Sequence, residues 1–161
     1  MNMTTDINNI PKNKGSYILF IDLEDDLEVK IGSLGSHKLK QGSYLYIGSA
    51  LGPGGLRARI RRHLTKTKNL HWHIDYLTKE NITKIKYVIY IETTRNIECN
   101  ITQILTKHKN FKAIIKGFGS TDCKKRCISH FLICLDKPYK CLEKTYNILK
   151  DHKYAPRIMK L

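Results

Sequence analysis

Three stretches of the chain carry side chains whose types and spacing can do chemistry. The first is Leu56-Arg-Ala-Arg-Ile-Arg-Arg-His63, with guanidinium groups at Arg57, Arg59, Arg61 and Arg62. A guanidinium is a planar fork of donors that matches a phosphate, so this cluster points to a polyanionic partner. The opposing reading is that these side chains solvate a surface, with their stems laid along it. The second stretch is His71-Trp-His73-Ile-Asp75, imidazoles and a carboxylate in alternation. The third is Cys123, Cys127 and His130, spaced C-x3-C-x2-H. Thiolate and imidazole suit zinc, but a structural zinc site takes four ligands and only three lie close in sequence. Cys99, Cys134 or Cys141 would complete it only through tertiary contact. Buried thiols beside a satisfied histidine are therefore the expected reading, with structural zinc as the alternative.

The charge balance supports the first signal. The 161-residue chain has 29 Lys and Arg against 14 Asp and Glu, a net of +15. Such an excess favours nucleic acid through phosphate contact and counterion release. Most of it is scattered Lys, which equally suits a solubility surface, so the arginine cluster carries more weight. Arg57, Arg61, Arg62 and the following Lys66 are the candidates for plain phosphate contact. Hydrophobic residues make up 41% and charged residues 27%, ordinary values for a globular domain. No apolar run reaches the length of a membrane span, and the first fourteen residues lack the apolar core of a secretory leader. Five cysteines in such a chain argue for a reducing, cytoplasmic setting and against a disulfide framework.

The elements that must position these groups follow from hydropathy period. Residues 16–23 are almost all apolar, as in a strand buried on both faces. Residues 27–31 alternate, 32–42 form a loop or ragged hairpin, and 43–48 form another strand. A Gly-Pro-Gly-Gly turn then precedes a helix to about Lys66, with Leu56, Ile60 and Leu64 as its apolar stripe. A helix over 70–79, a strand over 84–92, a helix over about 95–108, a strand over 129–135 and a last helix from Pro138 to about His152 complete the pattern. Residues 111–118 are ambiguous. The expected fold is α+β, a small central, mostly antiparallel sheet flanked by helices. Residues 1–14 are a mobile polar lead-in, 15–135 the main domain, and 136–161 a helix and tail packed on it.

In order along the chain stand Gly15-Ser-Tyr17 opening a buried strand, Tyr46-Ile-Gly48 in a later strand, Arg59 and His63 on the next helix, and Glu98 on a later one. This set resembles the GIY-YIG nuclease superfamily, found in homing endonucleases, some restriction enzymes and excision-repair incision subunits. It is most similar to small microbial GIY-YIG proteins, some fused to DNA-repair glycosylases, which have segments like His71–Leu77 and Gly117–Cys123. One departure is the long separation of Tyr17 from Tyr46, where the family usually has a shorter hairpin. A competing resemblance of H-x-H-x-D to metallo-β-lactamase-like hydrolases fails, because residue 76 is Tyr and the chain is too short for that two-sheet fold.

The resemblance implies a metal-dependent endonuclease acting on DNA, in repair or recombination, with RNA also open. Tyr17, Tyr46, Arg59, His63 and His71 are then catalytic, His71 being preferred to His73 as a supporting histidine. Glu98 holds Mg²⁺ or Mn²⁺, a hard cation that is content with one carboxylate, waters and a phosphate. On a helical wheel Arg59 and His63 share one flank of the stripe, at the mouth between helix and sheet. The opposing reading of Glu98 is a carboxylate favoured by the helix dipole, and that of the tyrosines is a hydrogen-bonded core edge. Chemistry from a tyrosine requires its pKa to fall from about 10 to near 7, about 4 kcal/mol of help from neighbouring positive charge. Two other functions fit the same residues: a non-catalytic nucleic-acid-binding module, and an interaction domain with incidental charge.

Overall fold

Strand β2 (Gly15–Leu23) is the centre of the molecule. In the computed structural model, which describes all 161 residues, it pairs antiparallel with β5 (Gly42–Ala50) on one side and β6 (Thr83–Glu92) on the other. Its side chains alternate between two cores, as the period of a strand requires. Tyr17, Leu19, Ile21 and Leu23 enter one core with Tyr44, Tyr46, Val88 and Tyr90, while Ile18 and Phe20 enter the other with Leu45, Ile47, Ile89 and Ile91.

The sheet is larger than the sequence led us to expect. Seven strands follow the order β1-β9-β6-β2-β5-β8-β7, adding β1 (Met3–Thr4), β7 (Phe111–Ala113), β8 (Phe131–Cys134) and β9 (Arg157–Lys160). Every pairing is antiparallel except that of β1 with β9. Both chain ends thus join the sheet. Residues 1–14 are not a detached lead-in: Met3 and Thr4 pair with Ile158 and Met159, and Ile10 is fully buried.

Two further strands, β3 (Leu27–Lys30) and β4 (Ser36–Leu39), form a separate antiparallel hairpin between β2 and β5. This inserted hairpin accounts for the long separation of Tyr17 from Tyr46, and leaves the pairing of their strands intact.

Helices cover both faces. α1 (Gly55–Leu64) and α2 (His73–Thr78) bury Leu56, Ile60, Ile74 and Leu77 in the Tyr17 core. α3 (Glu98–Thr106) and α4 (Pro138–Asp151) bury Ile101, Leu105, Leu142 and Leu149 in the other. Pro138 opens α4, where its missing N–H costs nothing. No helix is long and apolar enough to cross a membrane.

Candidate functional site

Tyr17 lies directly across from Gly48 in the β2–β5 register. A β-carbon at Gly48 would overlap the Tyr17 phenol, so only glycine lets that ring lie across the neighbouring strand. Gly15 lets α1 and β6 come close at the start of the same strand, because a β-carbon there would overlap the Ile91 carbonyl and the Leu56 side chain. The two glycines therefore seat Tyr17 on the sheet and α1 against it. In this position Tyr17 Oη and His63 Nε2 are 2.7 Å apart. The ring of Tyr46 lies 6.5 Å from that of Tyr17 and 6.0 Å from that of His63.

His63 is not on the helix flank where the wheel placed it. Its side chain is buried, with Leu56 and Ile60, on the face of α1 that meets the sheet, while Leu64 is only half-buried. The buried stripe is thus turned toward His63 and away from Leu64 relative to what the apolar residues alone suggest. A histidine bonded to a tyrosine substitutes for the expected leucine. Arg59 remains on the flank, half-exposed, and lines the cavity that His63 only backs.

Trp72 and Asp75 explain the start of α2. The Asp75 carboxylate, fully buried, accepts from the backbone N–H groups of His71 and Trp72, which places the helix start at His73 rather than at residue 70. It also receives both Arg62 terminal nitrogens, each at 2.9 Å. The guanidinium carbons of Arg59 and Arg62 lie 4.2 and 4.1 Å from the centre of the Trp72 ring. Trp72 thereby holds Arg59 toward the cavity.

Two of the residues expected to contact phosphate are committed elsewhere. Arg62 is spent on Asp75 and on the Asn69 carbonyl. Lys66 Nζ donates to the carbonyls of Thr78, Glu80 and Thr83, tying down the end of α2. Arg57 donates through Nε to the Ile10 carbonyl and Arg61 to Asn8, which leaves each with donors to spare. His71 is exposed at the cavity rim, edge-on to Trp72. His73, also on the cavity wall, accepts the Gly119 N–H at Nδ1.

The cavity measures about 810 Å³ and gathers Tyr17, Tyr46, Arg59 and Glu98 on one wall system. The body of α3 packs on the sheet face opposite α1, but Glu98 is its first residue and reaches the cavity. The opening exists because β8 pairs with β5 only as far as Tyr46, leaving the last residues of β5 unflanked on that side. Ser49 and Asn96 line that gap. Asp122, Lys124 and Lys125 also line it, from the loop before β8. None of these five was singled out from sequence. The Gly117–Cys123 segment contains Asp122, but nothing local in it assigns that carboxylate a partner across the fold.

The electrostatics run opposite to the sequence expectation for the tyrosines. Burial, then the neighbouring Tyr46, pushes the Tyr17 phenol well above its ordinary range, and Arg59 opposes this only in part. Tyr46 is raised likewise by burial and then by Glu98. Burial, then Lys68, lowers His63 to about 3. Both phenols and the imidazole are therefore neutral near pH 7. His63 Nδ1 is buried without a partner. An orphaned N–H is costlier than an orphaned lone pair, which favours the tautomer whose Nε2–H donates to Tyr17 Oη. The phenol then keeps its O–H and one lone pair for the cavity.

Glu98 enters none of the ion pairs of the protein. A cavity carboxylate without a protein cation, with Asp122 as a second oxygen donor on the same wall, fits a hard divalent ion that keeps most of its own waters.

The cysteines differ from expectation. Cys99 is joined to Cys127 and Cys134 to Cys141 as disulfides, while Cys123 is free. Sequence neighbours could not indicate the first pairing, because it joins the start of α3 to a loop beyond β7.

Fold and site together define an α+β domain with a polar cavity walled by buried neutral phenols, an arginine and carboxylates outside any ion pair. The chain belongs to the family described as Domain of unknown function DUF123, whose model matches residues 16–151, a span that contains every residue of the cavity discussed above. No curated protein matches the chain, and no solved structure does.

Proposed function

We propose that the protein is a metal-dependent endonuclease of GIY-YIG type that hydrolyses phosphodiester bonds in DNA. The observation that carries this reading is the convergence of Tyr17, Tyr46, Arg59 and Glu98 on one cavity, from four elements spread over residues 17–98 of the chain. The net charge of +15 supports a polyanionic substrate.

Each side chain has a role consistent with its state. Tyr17 acts as a neutral hydroxyl rather than a phenolate. His63 fixes its oxygen, and its remaining hydrogen-bonding capacity holds the attacking water. Tyr46 closes the other side of that water's position. Arg59, held by Trp72, offers its fork to the phosphoryl oxygens, where charge grows in the transition state. Lys124 and Lys125 extend the cationic rim along the substrate backbone. Glu98, with Asp122 within reach of the same space, would hold Mg²⁺ or Mn²⁺. When bound, such an ion supplies electrophilic stabilisation to the phosphate and its leaving oxygen.

Cleavage of duplex, single-stranded, flap and junction DNA, and of matching RNA, with Mg²⁺ or Mn²⁺ tests the reading. Metal-dependent cutting of at least one substrate is expected. If nothing is cut with either ion while nucleic acid is still bound, the protein is a binding module built on this fold.

A further inference from the structure

The loop between β7 and β8, residues 114–130, has no helix or strand of its own. Loops of this length inside a compact domain are uncommon without something to hold them. Yet this one carries Asp122, Lys124 and Lys125 into the cavity wall. At its base, Cys123, Cys127 and His130 meet Cys99 from the first turn of α3, and one ligand atom from each lies within 4.8 Å of all the others. His130 is 3% exposed, and its Nε2 is buried with no hydrogen-bond partner. A buried imidazole nitrogen without a partner, beside three sulfurs, is placed as a metal ligand would be.

We propose that in the reduced chain Cys99, Cys123, Cys127 and His130 bind one zinc ion, tetrahedrally, and that this ion staples the loop to the start of α3. Cys99 is the ligand that the local C-x3-C-x2-H spacing lacked. Tetrahedral Zn–S and Zn–N bonds of about 2.3 and 2.0 Å set ligand atoms roughly 3.5–3.8 Å apart, so the widest separations, up to 4.8 Å, close by about an ångström while the Cys99 and Cys127 sulfurs, bonded in the disulfide, move apart on reduction. Three thiolates and an imidazole are a soft set that selects zinc over the hard ions suited to Glu98. The zinc ligands are therefore a different set from the cavity carboxylates, although Cys99, Cys123 and His130 line the same cavity and Cys99 follows Glu98 in sequence. Zinc here would fix the direction of Glu98 and the position of Asp122 together.

The ion and the Cys99–Cys127 disulfide are alternatives, since ligation needs both sulfurs as thiolates. A phosphine reductant opens the bond: the disulfide gains two electrons and two protons, and the phosphine takes the oxygen of one water. Cys99, Cys123 and Cys127 then release three protons as the metal binds.

The test is titration of the phosphine-reduced protein with Co²⁺, followed by displacement with Zn²⁺, without nucleic acid. About one cobalt per chain, with tetrahedral visible bands and a thiolate-to-cobalt band in the near ultraviolet, is expected. Cys123→Ser should weaken cobalt binding by more than the roughly 10–100-fold typical of losing a ligand's hydrogen-bonding support. Cys123 is unpaired and half-buried, so this variant keeps the fold and both disulfide partners. Cys134→Ser/Cys141→Ser should leave the spectrum unchanged. Absence of tetrahedral bands in the reduced wild type, or unweakened binding by Cys123→Ser, would overturn the proposal. Because no cleavage is read, failure here is distinct from failure of the nuclease reading.

Discussion

Tyr17 shows how burial decides the chemistry open to a side chain. A phenolate at this position would lose its hydration with only Arg59 to offset it, so the neutral hydroxyl persists, and in the proposed reaction it works by orientation. Tyr17→Phe should keep the fold and nucleic-acid binding while lowering turnover about 10²-fold, the scale of one lost positioned polar group. Single-turnover rates at saturating substrate check this. His63 makes a second prediction, about stability. Its folded pKa of about 3 lies below the unfolded value of about 6.5, so the unfolded chain takes up a proton first as pH falls. Its contribution is therefore whole above about pH 6.5 and is lost progressively toward pH 3, at up to about 1.4 kcal/mol per pH unit. The charged groups around it are Lys68, Asp75, Arg62 and Arg59. Denaturant midpoints from pH 7 to pH 4 should fall more steeply for wild type than for His63→Gln. Equal slopes would mean that His63 is charged in the folded protein.

At the scale of elements, α2 depends on a single carboxylate. Burial alone would raise the Asp75 carboxyl, but Arg62 and the two backbone donors outweigh it and hold it below its ordinary range. Asp75→Asn leaves Arg62 facing a neutral amide, with Lys68 nearby at 3.8 Å from the lost charge. It should cost about 3 kcal/mol, the scale for breaking a buried pair, and should loosen Trp72 and with it Arg59. Urea unfolding gives the first quantity and the emission of Trp72, the protein's one tryptophan, reports the second.

Elements were largely legible in the sequence where hydropathy period is strong: β2, β5, β6, α1, α3 and α4 lie near their expected places. What escaped depended on partners distant in the chain. β1 has two residues and β9 four, too short for a period, and they exist as strands because each finds an edge. His63 was misplaced on its helix because an imidazole in a core stripe has no hydropathy signature. Sequence leaves Cys99 as one of three cysteines that tertiary contact could add, and gives Asp122 no role, because both reach the cavity only when α3 and the β7–β8 loop fold together.

For the whole molecule, the positive charge matters most where it is free. Arg62 and Lys66 serve the fold, while Arg59, Arg57, Arg61, Lys124 and Lys125 retain donors for phosphate. If about five phosphates are neutralised, log K for duplex should fall with log salt at a slope near −4 to −5. Arg59→Ala should reduce that slope by about one and lower both affinity and turnover, since in the proposed function it meets the phosphate before and during reaction. Binding isotherms between low and physiological salt measure this, and a flat response would remove nucleic acid as the partner.

The whole account turns on Glu98, a carboxylate that faces the cavity with no protein cation to pair with. The deciding measurement is the cleavage rate of Glu98→Ala beside wild type on a substrate that wild type cuts, at saturating Mg²⁺, with affinity measured on the same substrate. The predicted result is loss of cleavage with affinity unchanged or slightly increased, because the variant removes a negative charge beside the phosphate along with the ion's ligand. Cleavage at the wild-type rate would contradict the assignment of Glu98 and with it the nuclease reading of the cavity.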